Sequence, residues 1–382
     1  MKRYVAFIAV FLIGFLTMDT IQAKTGKNTS PFEYVTVPEG EKACRITEIR
    51  IKKDKGISVL KIPDTINGKT VVSIGPGLLD EDNEDPVLQN VFGLYEWVDG
   101  DESYENWKSR SKEQKRRAMK VEKVILPDTI KKIREYCFAT LKNLKTVKLP
   151  KGLTAVGERA FITTPRLRKI HIPASVKEGL TGMKEADFLW KHVTISKKNP
   201  YYKMKKGMIF SKDGKAVYAL MTAKKNIRIP DGVKRLEEGA FYNKPVQSVY
   251  LGAGVREIKY GALSTKTACR VTLSAANPYL AKSGMCIYNR KKKSLLVGIP
   301  KSRYENVWPK ITKQKIYYLK IPRKVKELDN DVSIVGVGKK YKVRKVYIPK
   351  SVETIVYGWS ISGFVHKKCT YITERDYWTF RP

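Results

Sequence analysis

Histidine is scarce in this chain: three residues in 382, at His171, His192 and His366. No two lie close enough to form a His-rich metal motif, and His366-Lys367-Lys368-Cys369 is a lone His-x-x-Cys without the further ligands that zinc requires. Gly-x-Ser-x-Gly, His-Glu-x-x-His and phosphate-cradling glycine loops are also absent, which removes the familiar hydrolase, metalloprotease and nucleotide-binding patterns. No catalytic residue, metal ligand or cofactor is assigned, and the chain is expected not to be an enzyme. Cysteine is sparse as well. Cys44, Cys137, Cys269, Cys286 and Cys369 show no Cys-x-x-Cys spacing, and their odd number leaves one thiol unpaired within a monomer. Cys269 and Cys286 flank an expected hairpin and are the pair best placed to bond; free thiols buried in the core are the alternative.

Long apolar runs are missing too. A membrane span needs about 20 apolar residues, and the longest run here, Val5 to Met18, is shorter and holds Gly14 and Thr17. Lys2 and Arg3 precede it and Ile21-Gln22-Ala23 follows, the pattern of an export signal cut near Ala23. Residues 1–23 are therefore expected to be removed, leaving a secreted or cell-surface protein without a transmembrane span. Acidic residues are also few: 37 Asp and Glu against 75 Lys and Arg, for a net charge of +38. The deficit is uneven, with −5 over residues 24–109 and +42 over residues 110–382. So basic an array attracts polyanions.

What the chain has instead is a repeat. Val124-Ile125-Leu126-Pro127, Val147-Lys148-Leu149-Pro150 and Ile170-His171-Ile172-Pro173 recur at a spacing of 23, and a fixed period of this size signals a solenoid. In the clearest unit Val124 and Leu126 are followed by Ile130, Ile133, Cys137-Phe138, Leu141 and Leu144; the next answers with Val147, Leu149, Leu153, Val156, Ala160-Phe161 and Leu167. Looser copies begin at Leu60, Ile227, Val249, Leu319 and Val346. Alternation puts Val147 and Leu149 on one face of a strand and Lys148 in water. The prolines at 127, 150, 173, 230, 322 and 349 cannot donate to a ladder and so end each strand.

Three stretches break the period. Residues 80–120 form a charged insertion, read as a solvated excursion with a short helix near Lys112–Met119. Residues 193–225 and 271–300 resemble one another: each runs through Asn-Pro-Tyr into a glycine-opened pair of strands, such as Met208-Ile209-Phe210 and Val217-Tyr218-Ala219 about the turn Lys212-Asp213-Gly214.

The strand-Pro pieces, the anchors Ala160-Phe161 and Ala240-Phe241, and the Gly-Met-Ile-Phe-Ser-Lys-Asp-Gly element resemble the BspA-like leucine-rich repeat family of bacterial surface and secreted proteins. The resemblance implies a mainly β leucine-rich-repeat solenoid of short parallel strands, with irregular or short helical return segments and inserted β-hairpins. It also implies an exported interaction protein, often an adhesin, with no catalytic residues to carry over. The expected organisation is a signal at 1–23, a capping segment at 24–59, the solenoid at 60–373 and a tail at 374–382.

Reading the outward strand positions rung by rung gives a row containing Ile125, Lys148, His171, Thr194, Arg228, Tyr250, Thr272, Lys320, Tyr347 and Tyr371, with a second row at Lys123, Thr146, Lys169, Asn226, Ser248, Tyr318 and Lys345. Lys148, His171, Arg228, Tyr250, Lys320 and Tyr347 are the candidate ligand-binding residues, because mixed cations and tyrosines on a rigid sheet hold anionic polymers and stack on rings. Ordinary solvated sheet surface is the alternative. Basic clusters stand at Lys197-Lys198 with Lys203, Lys205 and Lys206, at Arg290–Lys293, and from Lys339 to Lys345. The expected partner is a protein or an anionic glycan or cell-surface polymer; export argues against nucleic acid. Two other readings are an adhesin recognising one protein by shape and aromatics, and a hydrolase built near Asp99 and Asp101 of the insertion.

Overall fold

The computed structural model describes residues 30–76, 88–96, 107–109, 111–157, 159–180, 192–222, 224–242, 244–307, 312–336, 343–356, 365–374 and 379–381. The expected signal segment, Asp99 and Asp101 lie outside them.

Each repeat contributes one strand to each of two walls. On the first wall Val59–Lys61, Lys123–Ile125, Thr146–Lys148, Lys169–Ile172 and His192–Ile195 pair in parallel as successive rungs. On the second wall two-residue strands such as Lys132–Ile133 and Ala155–Val156 pair behind Lys69–Ile74. Between the walls the apolar positions of the repeat face inward: Val124, Ile130, Ile133, Phe138, Leu141 and Leu144 are buried, as are Val147, Leu153, Val156, Phe161 and Leu167 one unit on. The chain is thus a mainly β leucine-rich-repeat solenoid.

Local chemistry sets the geometry of the unit. Pro127, Pro150, Pro173, Pro230, Pro322 and Pro349 each end a strand and offer a carbonyl to the amide three residues on, closing the turn into the core. The return path is tied between neighbours as well: the Phe138 amide donates to the Ala160 carbonyl and the Phe241 amide to the Ala262 carbonyl, both at 2.8 Å. The anchor rings of Phe138 and Phe161 stack with centroids 5.7 Å apart. No unit buries its own apolar face; stacking does.

The two Asn-Pro-Tyr elements are internal partitions. Each is a three-stranded antiparallel piece, Tyr202–Lys205 with Met208–Ser211 and Ala216–Leu220, and Leu280–Ser283 with Cys286–Asn289 and Ser294–Gly298. Both faces are covered. Ile209 and Ala219 pack into the first core, whereas Met208, Phe210 and Val217 pack into the second. Ile287 and Val297 likewise face the second core, and Cys286, Tyr288 and Leu295 the third. The spine is therefore divided into three apolar compartments instead of running as one.

The insertion corrects the expectation of a purely solvated excursion. Its helix spans Lys112–Ala118 with Ser111 as cap, and Gln114 accepts from the Ile51 amide and donates to the Ile49 carbonyl. Val91, Phe92 and Leu94 are fully buried, and Asn90 bridges to the Ala139 carbonyl while accepting from the Phe92 and Leu94 amides. Charge density on either side hid a short apolar plug that closes the first compartment.

The paired reading of Cys269 and Cys286 is also corrected. Cys44, Cys137, Cys269 and Cys286 are free and buried, and the second partition wall gives Cys286 its own neighbour, the Lys320 carbonyl at 3.7 Å. Burial pushes the Cys269 thiol up to about 12 and raises Cys137 and Cys286, so little thiolate forms. A thiol reagent at mildly alkaline pH should leave all four unlabelled in the folded protein and label them in denaturant, read by mass spectrometry. A peptide linking Cys269 to Cys286 would contradict this arrangement.

Candidate binding surface

The first wall presents its outward residues in three ladders, not in the single row expected. In the first, Lys61, Ile125, Lys148, His171 and Thr194 occupy successive rungs. His171 shares a 2.9 Å hydrogen bond between its Nδ1 and the Thr194 hydroxyl. In the second, Arg228, Tyr250 and Thr272 are rung partners, beside Asn226, Ser248 and Arg270. The Arg228 guanidinium lies 4.0 Å from the centre of the Tyr250 ring, a cation–π distance. In the third, Lys320 pairs with Tyr347, and Tyr318 with Lys345; the Tyr318 and Tyr347 rings meet edge-on at 6.2 Å.

The structure thus brings Arg228 to Tyr250, Lys320 to Tyr347 and Lys148 to His171, but separates the pairs between ladders. The interruptions fall where the partition hairpins are inserted. Tyr371 falls out of the row: an irregularity in Val365–Thr373 sets it opposite Val346 and places Ile372 opposite Tyr347. Lys61, the first rung, was missed because its repeat continues into the insertion. Lys339 and Lys340 of the third basic cluster lie outside the described residues.

Acidic charge is segregated between the walls. The first-wall strands Val59–Lys61, Lys123–Ile125, Thr146–Lys148, Lys169–Ile172, His192–Ile195, Asn226–Arg228, Ser248–Leu251 and Arg270–Leu273 contain no Asp or Glu. Among the described residues, the side chains of Lys61, Lys123, Lys148, Arg228, Arg270 and Lys320 have no carboxylate partner. The second wall is mixed, with Lys69 and Lys132 on its strands but carboxylates among its cations: Glu39 takes Arg134 at 2.8 Å, Glu257 lies 3.6 Å from Arg235, and Lys326 pairs with Glu353. Burial opposes charge on Glu39, yet hydrogen bonds from Arg134 and Ser73 hold its carboxyl below the usual value.

A cleft of about 590 Å³ opens beside the second ladder. Lys203, Lys205, Lys206, Lys224 and Arg228 surround it, with Met208, Phe210, Ile227 and Val233 beneath. Sequence clustering marked the first three of these lysines, but only the hairpin's fold places them against Arg228. Among the described residues no group of His, Cys, Asp or Glu is arranged to hold a metal, and no helix is long and apolar enough to cross a membrane.

Parallel two-walled stacking of this kind defines a leucine-rich-repeat protein. Residues 115–199 and 212–292 match the BspA type leucine rich repeat region in 6 copies, so the repeats of that stretch are of this type. Similar solved structures include a leucine rich cell surface protein from Faecalibacterium prausnitzii, at 16% identity over 94% of this chain and 96% of that one with a TM-score of 0.35. A leucine-rich repeat protein from Eubacterium ventriosum shows 14% identity over 90% of this chain and 83% of that one, TM-score 0.42. The pneumococcal vaccine antigen PcpA shows 14% identity over 91% and 98%, TM-score 0.37. No curated protein matches the chain.

Proposed function

We propose that this is an exported, non-enzymatic repeat protein that binds an anionic macromolecule at the bacterial surface through its first wall. One observation carries the reading: the wall strands of the first two ladders hold cations and no carboxylates, while second-wall carboxylates are engaged in ion pairs. Lysines stand on both walls, Lys69 and Lys132 on the second among them, but indiscriminate basic bias would also leave carboxylates on both. Segregation leaves one face with a positive potential that attracts and orients a polyanion. Lys148, His171, Arg228, Tyr250, Lys320 and Tyr347 are the residues assigned to contact it.

The test is binding of the full chain to an immobilised anionic glycan over graded salt. Affinity should fall steeply from low to physiological ionic strength, because exposed charges are screened beyond about 8 Å at 0.15 M. Binding that stays flat with salt would remove the electrostatic basis.

A further inference from the structure

The first partition hairpin carries three lysines that its internal copy does without. Lys203 lies opposite Phe210 and Lys205 opposite Met208; the matching pairs in the second hairpin are Ala281 with Tyr288 and Ser283 with Cys286. Lys206, left-handed at φ 51, is matched by Gly284 at φ 55. Both hairpins are held by the same buried asparagine pattern, so folding this element does not require the lysines. Protection of an outer strand against edge pairing is the ordinary use of lysine there, but it would apply to both copies alike.

These lysines, with Lys224 and Arg228, line the cleft described above. Among the described residues none of the five has a carboxylate partner. Asp231, also in the lining, is engaged by the Ala253 amide at 2.8 Å. The volume suits a small-ligand site and not a folded macromolecule. Phe210 and Met208 are only 5% and 4% exposed, so the cleft offers no open ring on which nucleic acid bases could stack. Four of the five cations are lysines, mobile point charges that match several separate anionic groups better than one planar carboxylate.

We propose that the cleft binds a short stretch of an anionic oligosaccharide whose successive units carry sulfate, phosphate or carboxylate groups. This rests on the first-wall reading, since Arg228 belongs to both. The experiment is calorimetry of the full chain at physiological salt with a heparin-derived hexasaccharide and with hexagalacturonate. Maltohexaose, oligoglutamate and a single-stranded oligonucleotide of matched charge serve as controls. The variant Lys203→Ala/Lys205→Ser/Lys206→Gly installs the residues of the second hairpin and should fold unchanged. It is expected to bind the charged hexasaccharide about tenfold more weakly, the sum of three screened charge contacts. Unchanged affinity in this variant, with loss in Lys148→Glu/Lys320→Glu, overturns the cleft and leaves the first-wall reading standing. No binding of any polyanion overturns both. Oligoglutamate, the oligonucleotide or maltohexaose binding as tightly as the charged sugars overturns the ligand class.

Discussion

Replacing Asn199 by alanine should destabilise the protein by about 4 kcal/mol, more than any surface change in the array. The side chain is fully buried. Its amide donates to the Pro173 and Val176 carbonyls, both at 3.0 Å, and its oxygen accepts from the Tyr201 and Tyr202 amides at 2.8 and 2.9 Å. Alanine takes this partner from the buried Tyr202 amide, the Val176 carbonyl and the part-buried Tyr201 amide. It leaves the Pro173 carbonyl only its 3.4 Å bond from the Val176 amide. Each buried loss is worth roughly 1–3 kcal/mol when water cannot reach it. Entry of water into the vacated space offsets part of that sum. Asn277→Ala should behave alike, because Asn277 makes the same four bonds to Gly252, Val255, Tyr279 and Leu280. In a solenoid each interface contributes separately, so amide exchange should accelerate first around residues 173–176 and 199–202. Urea unfolding followed by circular dichroism gives the total, with Lys198→Ala as an exposed control. An Asn199→Ala midpoint indistinguishable from the control would refute the role assigned to this residue.

That asparagine shows where the sequence was legible and where it was not. Alternation with a terminal proline fixes which side chains enter the core, because a strand offers only two faces and proline ends the ladder; Val124, Val147 and Ile170 are buried accordingly. The same logic located the hairpin of Met208–Ser211 and Ala216–Leu220. It did not reveal that this hairpin is buried on both faces, since a short apolar strand reads the same whether one side or two are covered. Nor did it show that the hairpins divide the outward row into three ladders, which depends on how an insertion is accommodated between rungs. The antiparallel pair Lys301–Val307 with Thr312–Lys320 was missed because its strands carry four lysines and few aliphatic residues, so no alternation stands out. The slip at Tyr371 follows from an irregular pairing that adds residues to one strand without altering its composition. At the candidate surface, Lys148, Arg228, Lys320 and Tyr347 were readable as outward-facing; the cleft was not, because Lys205 and Arg228 come to line one cleft only after the chain has turned through two hairpin strands.

Reversing one charge in each ladder, Lys148→Glu with Arg228→Glu and Lys320→Glu, should weaken polyanion binding about a hundredfold at physiological salt. Each site changes by two units of charge, and an exposed contact near 4 Å is worth about 1 kcal/mol before screening. Three lost attractions replaced by repulsions come to about 6 kcal/mol unscreened, and screening at physiological salt cuts that to about half, or roughly a hundredfold. All three side chains are exposed, so circular dichroism and unfolding should change little. The salt dependence should flatten in parallel, since fewer counterions are exchanged on binding. Tyr250→Ala with Tyr347→Ala supplies the contrast. Tyr250 loses its contact with Arg228 and Tyr347 its edge-on contact with Tyr318, but no charge is lost, and a polyanion should be held within tenfold of the parent affinity. A surface adhesin that recognises one protein through shape and aromatic contacts predicts the reverse order, because large rings at the centre of a protein interface dominate its energy. Measured side by side on the same immobilised ligand, the two variants decide between these modes. A tyrosine variant that binds less well than the charge-reversed one would mean that the positive wall guides encounter while aromatic side chains determine affinity.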